Sequence, residues 1–465
     1  MYQPSAENQP ASYSDDAIDH IENGRNTDRS ATDYAATVES ATVCIVGLGY
    51  VGVPLAVAFD EQGYDLIGYD IDPDRIDAFS DGRDPTEELG DDRIADSEIS
   101  FTDDPASIAD AEYVLITVPT PLDTGSNPEL TFVKSAAKTV AQHMSEETTI
   151  VLESTVYPGV TRDIVVPLIE DVSGLTLGDG FHVGYSPERL SPGNQGRKLQ
   201  DAIKIVSGDT AESLDKLTHL YDSIVDAGVY QAPSIETAEA AKVLENVQRD
   251  LNIALMNEMA IICDHLGIDT GEVIDAAATK WNFHEYSPGL VGGHCIPVDP
   301  LYLAHGSERA GFSPKLIFQA REVNEYMPKH VAEVTIKALN SAGKVPKDSR
   351  LVIMGAAYKP NVGDIRTSEV KGLITALEAY DIECVLCDPI VDETVLAETF
   401  GTETTALESF DGFDGIVLAT PHDVFTELDY ADIVGSLESH SVFVDVDGAI
   451  DRETITGAGC EYRRL

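Results

Sequence analysis

The chain has 465 residues and a formal net charge of −52, with 30 Lys plus Arg against 82 Asp plus Glu, and 43% of it is hydrophobic. That length suits two to four domains at about 100–200 residues each, and the apolar content is too high for wholesale disorder. So acidic a chain excludes nucleic acid and anionic membrane surfaces as partners, since both need basic patches.

The carboxylates are spread along the whole chain, which predicts a solvated acidic shell of the halophilic kind, screened by dense ions. No stretch approaches the about 18 apolar residues of a membrane span, and the polar N-terminus lacks the pattern of a secretory signal. The six scattered cysteines fit a reducing, cytoplasmic setting.

Residues 1–40 are acidic and polar without apolar period and are expected to be a disordered tail. Structure is predicted to start at Thr42 with TVCIV, a glycine turn and the helical PLAVAFDEQG. Short apolar, β-branched runs follow at 65–70, 113–118, 149–155 and 182–188, with helical patterns between them. Alternating β and α with continuous apolar strands indicates a parallel sheet covered on both faces. From Thr237 to Leu266 there is no Gly or Pro. Leu244, Val247, Leu251, Leu255, Met259, Ile262 and Leu266 make a helical stripe there, predicting a long helix that joins two domains.

A Gly- and Pro-rich loop (287–300) and more helix to about Leu339 come next. A second βα series then starts at Arg350 and echoes the first: YDLIGYDIDP resembles YDIECVLCDP. The expected fold is therefore α/β, with two Rossmann-like parallel-sheet domains joined by a long central helix. The divisions are 1–40, 41–235, 236–339 and 340–465. Cys384 and Cys387 form a CxxC, but on a strand positions three apart face opposite sides, so no metal or redox site is expected.

Gly47-x-Gly49-x-x-Gly52 follows a strand, opens a helix, and has Asp70 at the end of the next strand. In this context the glycines permit the turn, the approach of a pyrophosphate and helix–strand packing. A carboxylate at Asp70 can bond both hydroxyls of a ribose and would repel a 2′-phosphate, which favours NAD over NADP. Tyr50 and Val51 lie within the same turn. Arg75 either flanks the cofactor or is a solvated surface residue. Pro119, Thr120, Ser154 and Thr155 sit at further strand ends, where hydroxyls serve either a ligand or the turn.

Cys295 lies in the polar loop Gly292-Gly293-His294-Cys295, an unusual place for a merely buried thiol, though a core cysteine remains the alternative. His294 has no ligand spacing to another His or Cys and reads as loop structure. Lys242 and Asn246 are i, i+4 and share a helix face that can front a cleft; the alternative is an exposed Lys with a helix Asn. Glu188 and Arg189 follow a strand end.

GLGYVG, VPTP, ESTVYPG, YSPERLSPG, AEAAKVLENVQRDLNIALMNE, SPGLVGGHCIPVDPLYL and YKPNVGDIR stand in the order seen in the UDP-glucose/GDP-mannose dehydrogenases, and the chain resembles that family from about residue 42 onward. The cysteine loop looks most like the branch oxidising UDP-N-acetylhexosamines. The resemblance implies a UDP-sugar substrate and a four-electron oxidation of C6 to the uronate. It further implies two NAD per sugar and a homodimer built on the long helix.

On the matching positions it implies Cys295 as nucleophile, Lys242 and Asn246 at the developing alkoxide, and Glu188 as base with Asp299 and Thr155 near the water. It puts Glu188, Arg189, Gly289, Gly292, Tyr358 and Lys359 on the sugar nucleotide, and Arg366 with Pro119, Thr120 and Thr155 on NAD. Tyr358-Lys359 departs from the family's usual Phe-Lys. The alternatives are a UDP-glucose 6-dehydrogenase, a two-electron β-hydroxyacid dehydrogenase, and a non-catalytic NAD-sensing module. The β-hydroxyacid enzymes need neither the cysteine nor the second α/β half.

Overall fold

The computed structural model describes residues 41–86, 88–189, 199–407 and 410–465, so the expected disordered tail lies outside the described residues. Two compact units divide the chain between Lys242 and Val243. The first is an eight-stranded sheet in the order β3-β2-β1-β4-β5-β6-β7-β8. Its strands are β1 Thr42–Val46, β2 Asp65–Tyr69, β3 Ser100–Thr102, β4 Tyr113–Ile116, β5 Thr148–Leu152, β6 Phe181–Tyr185, β7 Lys204–Gly208 and β8 Val229–Gln231.

The first six strands are parallel in the 3-2-1-4-5-6 order of a doubly wound dinucleotide fold. That topology puts the exits of β1, β4, β5 and β6 on one edge, which is where ligands of such sheets bind. One feature departs from the expected all-parallel sheet: β7 pairs antiparallel with β6, Gly184 opposite Gly208 and Tyr185 opposite Ser207. Glycine at both paired positions leaves room there; a Cβ on Gly184 would meet the Leu217 side chain.

The second unit carries a six-stranded parallel sheet, β11-β10-β9-β12-β13-β14, again in the 3-2-1-4-5-6 arrangement. Its strands are β9 Arg350–Met354, β10 Glu383–Cys387, β11 Glu403–Thr404, β12 Gly415–Leu418, β13 Val442–Asp445 and β14 Glu461–Arg464. Period-two alternation divides its core cleanly. Leu351, Ile353, Leu386 and Val444 pack on one face, and Val352, Met354, Val385 and Phe443 on the other. Cys384 belongs to the first face and Cys387 to the second, so the CxxC thiols point apart.

The internal repeat extends to hydrogen bonds. Asp70, just after β2, accepts from Leu48 N at 2.7 Å, and Asp388, just after β10, accepts from Ala356 N at 2.7 Å. Each donor follows a positive-φ glycine, Gly47 or Gly355.

The long helix runs Ile235–Leu266. Its sequence stripe is not its buried side. Val247 is buried, but Leu244, Leu255, Ile262 and Leu266 are exposed. The inner side instead carries Glu239, Lys242, Asn246, Asp250 and Asn257, all buried, interleaved with Val243, Val247, Ala254 and Ala260. Among the described residues, no helix is long and apolar enough to cross a membrane.

Candidate active site

In the first unit the glycine turn is tied on both sides. Gly47, at φ +101°, donates its N–H to Tyr69 O at 2.9 Å, and Thr117 Oγ1 donates to Gly47 O at 2.6 Å. A Cβ on Gly52 would run into the Gly47 carbonyl and Thr117, whereas the space beside Gly49 is open. The helix Gly52–Asp60 has no side-chain cap at its N-terminus, where the helix dipole favours an anion.

Asp70 is buried and also accepts from Asp72 N at 3.0 Å. Arg75 Nη1 donates to Asp70 Oδ2 at 3.0 Å, so this arginine sits on the carboxylate and not apart in solvent. Tyr50 and Pro119 are exposed, and Val51, Thr120 and Thr155 are half-buried. Ser154 Oγ donates to Val118 O at 2.6 Å, joining the exits of β4 and β5. An open glycine cradle, an uncapped helix N-terminus and a held carboxylate at the next strand end fit a dinucleotide.

The loop after Thr155 is anchored by a residue that sequence reasoning missed. Glu239 accepts from Gly159 N at 2.6 Å, Thr161 N at 2.9 Å and Thr161 Oγ1 at 2.7 Å. Burial outweighs those donors and pushes its carboxyl up to about 7. Lys242 follows on the same side of the helix, buried, with Asn246 one turn further, so neither is the exposed surface residue of the alternative reading. Beyond β6, Glu188 accepts from Arg189 N at 2.7 Å, and Arg189 Nη1 donates to Ile203 O at 2.5 Å.

In the second unit three sequence-predicted residues come together. Asn246 Nδ2 donates to Asp299 Oδ2 at 2.6 Å, and Asp299 N donates to Cys295 O at 2.9 Å. Asp299 is buried and opens the helix Asp299–Arg309, where a carboxylate is favoured by the helix N-terminus. A bond from Asn246 to a charged group contributes about 1.5–3 kcal/mol, enough to hold the Asp299 rotamer.

Cys295 is half-buried; the other five cysteines are buried. Burial pushes the Cys44 and Cys384 thiols up to about 12, which keeps both protonated.

The cysteine loop is docked on the segment after β9. Gly293 N donates to Thr367 O at 3.3 Å. Any Cβ on Gly292 or Gly293 would strike Thr367 O or the Tyr358 ring, so these glycines serve close packing. His294 is more than loop structure: its Nε2 lies 3.0 Å from Asp364 Oδ2, and its ring meets Tyr358 edge-on at 6.3 Å.

Arg366 Nη2 donates to the same Asp364 oxygen at 2.7 Å. Burial raises the Asp364 carboxyl, but the bonds from His294 and Arg366 outweigh it and hold it well below the usual range. Gly289 exchanges two bonds with Asn257, its N–H donating to Oδ1 at 2.8 Å and its carbonyl accepting from Nδ2 at 3.1 Å. A hollow lined by Leu290, Gly292, Tyr358, Lys359, Ser368 and Thr420 lies beside this loop.

The cradle, the sheet and Asp70 define a dinucleotide-binding protein. Residues 41–225, 236–326 and 352–452 match the NAD-binding, central and UDP-binding domains of the UDP-glucose/GDP-mannose dehydrogenase family, and the chain belongs to it. It is thus an NAD-dependent nucleotide-sugar dehydrogenase. It is similar to protein CapL of Staphylococcus aureus, 39% identical over 89% of this chain and 97% of that one. The UDP-N-acetyl-D-glucosamine 6-dehydrogenase of Salmonella typhi is 38% identical over 90% and 98%. The structure of UDP-D-ManNAc dehydrogenase from Pyrococcus horikoshii superposes with a TM-score of 0.81 at 30% identity, covering 91% of this chain and 99% of that one.

Proposed function

We propose that the protein oxidises C6 of a UDP-N-acetylhexosamine, UDP-GlcNAc or UDP-ManNAc, to the uronate through a covalent cysteine intermediate. The linked set Cys295, Asp299 and Asn246, beside the hollow bounded by Tyr358 and Lys359, carries the reading. The relatives named for UDP-N-acetyl-D-glucosamine and UDP-N-acetyl-D-mannosamine support the substrate class. NAD, which the Gly47–Gly52 turn and Asp70 would hold, would supply the hydride acceptor for each of the two oxidations.

Lys242 and Asn246 stabilise the alkoxide as the C6 hydroxyl proton passes to water, the first C–H bond gives up its hydride and the aldehyde forms. The Cys295 thiolate then adds to the aldehyde carbon, and the thiohemiacetal so formed can give up the second hydride and become a thioester. Glu188 takes a proton from water as the water oxygen bonds to the acyl carbon and the C–S bond breaks. Asp299 and Thr155 orient that water. Tyr358, Lys359, Arg189, Gly289 and Gly292 hold the sugar nucleotide, and Arg366 the NAD. The functional division is 41–235 for NAD, 236–339 for the catalytic loop and 340–465 for UDP-sugar.

The test is NADH counted per sugar consumed, with UDP-glucose and the UDP-N-acetyl derivatives of glucosamine, galactosamine and mannosamine compared in concentrated KCl. Two NADH per sugar with highest kcat/KM on an N-acetylhexosamine supports the reading. One NADH indicates a two-electron dehydrogenase, and preference for UDP-glucose moves the substrate.

Asp70 is assigned to the adenosine ribose. Asp70→Ala should raise the KM for NAD about tenfold, the loss of a charge-assisted hydrogen-bonded pair, and narrow the preference over NADP. Because Asp70 also holds Leu48 N and Asp72 N on separate oxygens, Asp70→Asn, which keeps one of the two acceptors, retains part of the turn support, and a thermal midpoint on each variant reports the rest. An unchanged NAD/NADP ratio in both variants places ribose recognition elsewhere.

We further propose a homodimer built on the long helix, whose exposed Leu244, Leu255, Ile262 and Leu266 make an apolar face that runs along most of the helix. Light scattering in molar salt should give twice the 50.0 kDa chain mass. A 50.0 kDa species at micromolar concentration would remove the dimer. The six cysteines, scattered along the chain, support a cytoplasmic setting.

A further inference from the structure

Lys204 opens β7 and belongs to no motif of the reaction. Its side chain is 3% exposed, yet its ammonium is fully engaged. Nζ donates to Glu153 Oε2 at 2.7 Å and to Pro187 O at 3.1 Å, and it lies 5.2 Å from the centre of the Tyr221 ring. The Tyr221 hydroxyl donates to the other Glu153 oxygen, so both ends of the carboxylate are used. Glu153 and Tyr221 are buried as well.

A buried lysine–carboxylate pair is costly to desolvate and is weak ground for stability by itself. What this one joins gives it a purpose. Glu153 begins the exit of β5, which leads to Thr155, and Pro187 precedes Glu188 at the exit of β6. Because the peptide group is planar, holding the Pro187 carbonyl fixes the plane that enters Glu188. The neighbouring groups are pinned too: Ser186 N donates to Leu152 O at 3.1 Å, Ser207 Oγ to Tyr185 O at 2.9 Å, and Arg189 Nη1 to Ile203 O at 2.5 Å. Glu188 itself stays half-buried at the end of this clamped segment.

We propose that Lys204 is a positioning residue that sets the Glu188 carboxylate for hydrolysis of the Cys295 thioester, acting through the Pro187 carbonyl while Glu153 and Tyr221 hold the ammonium. The proposal rests on the function argued above. In the step concerned, water oxygen bonds to the acyl carbon, a water proton passes to Glu188, and the electrons of the C–S bond leave with Sγ; no oxidant takes part. Both hydride transfers precede this step, so loss of Lys204 spares them.

The experiment is rapid mixing of the full chain with saturating NAD and the UDP-sugar that turns over best, followed by mass spectrometry of the quenched protein. Lys204→Met should keep a burst of two NADH per site. Its steady-state kcat should fall about tenfold or more, a fraction of what a general base contributes, and acyl-enzyme should accumulate on Cys295. Lys204→Arg, which can reach both oxygens, should recover most of the rate. Tyr221→Phe, which removes one bond to Glu153 and keeps the ring, should stall in the same way to a smaller degree and serves if Lys204→Met does not fold.

A burst that shrinks in step with kcat, or wild-type kinetics in the folded variants, overturns the Lys204 role. Glu188→Gln is the control on the underlying reading. If it stalls as acyl-enzyme and the Lys204 and Tyr221 variants do not, the positioning role alone fails. If Glu188→Gln does not stall, the hydrolytic role of Glu188 fails and the Lys204 role falls with it.

Discussion

Cys295→Ser is expected to yield at most one NADH per sugar and to lower four-electron turnover by roughly 10³-fold or more, since a serine alkoxide forms far less readily at neutral pH than a thiolate. Among six cysteines, Cys295 alone is half-buried, and its carbonyl is bonded to the N–H of Asp299, whose carboxylate is held by Asn246. A factor of 10³ is about 4 kcal/mol of transition-state stabilisation, more than the about 1.5–3 kcal/mol of a hydrogen bond to a charged group, so loss of loop order alone does not account for it.

The variant should release aldehyde or stall as a serine adduct, and mass spectrometry separates these. Its thermal midpoint should stay near wild type, because the change is isosteric at a half-buried position. Two NADH per sugar at the wild-type rate would sink the covalent mechanism.

Most of the architecture was legible because it depends on local pattern. TVCIV before the glycine turn, and RLVIMG in the second half, each open a 3-2-1-4-5-6 sheet. The period of two was enough to turn Cys384 and Cys387 away from each other. Hidden were the pairings of buried polar groups, because the partners are remote in sequence: Lys204 and Glu153 are 51 residues apart, Asn246 and Asp299 53, and Arg321 and Asp250 71.

The long helix shows the physical reason. Hydrophobic periodicity assumes that polar side chains face water. Here Glu239, Lys242, Asn246, Asp250 and Asn257 face inward with partners or chemistry to serve, and leucines of the apparent core stripe face out. Similarly, the reversed direction of β7 was hidden because the local pattern KIVSG carries no direction, and its pairing with β6 is a long-range event. His294 lacked any ligand spacing, and its partner Asp364 is 70 residues away.

The thermal midpoint should climb by about 5–10 °C between 0.1 and 2 M KCl, if ions screen the excess of carboxylates. Two charges about 10 Å apart repel by about 0.4 kcal/mol in unscreened water. Screening lengths of about 10 Å at 0.1 M and 3 Å at 1 M cut this to about 0.15 and about 0.02 kcal/mol respectively. With 82 carboxylates and only 30 Lys plus Arg, most acids have no cation of their own. Summed over the formal excess of 52 negative charges, a saving on the order of 0.1 kcal/mol each comes to about 5 kcal/mol.

Each of the two compact units carries about half of that saving, and for a unit of 150–250 residues each kcal/mol moves the midpoint by about 2–4 °C. Paired surface charges work the other way, since salt weakens Lys337–Asp264 and Lys216–Glu212, but exposed pairs are each worth about 0–1 kcal/mol and are too few to reverse the trend. Sucrose, which strengthens burial without screening charge, is the control. A midpoint that is flat in KCl, or that rises equally in sucrose, would rule out charge screening as a source of stability.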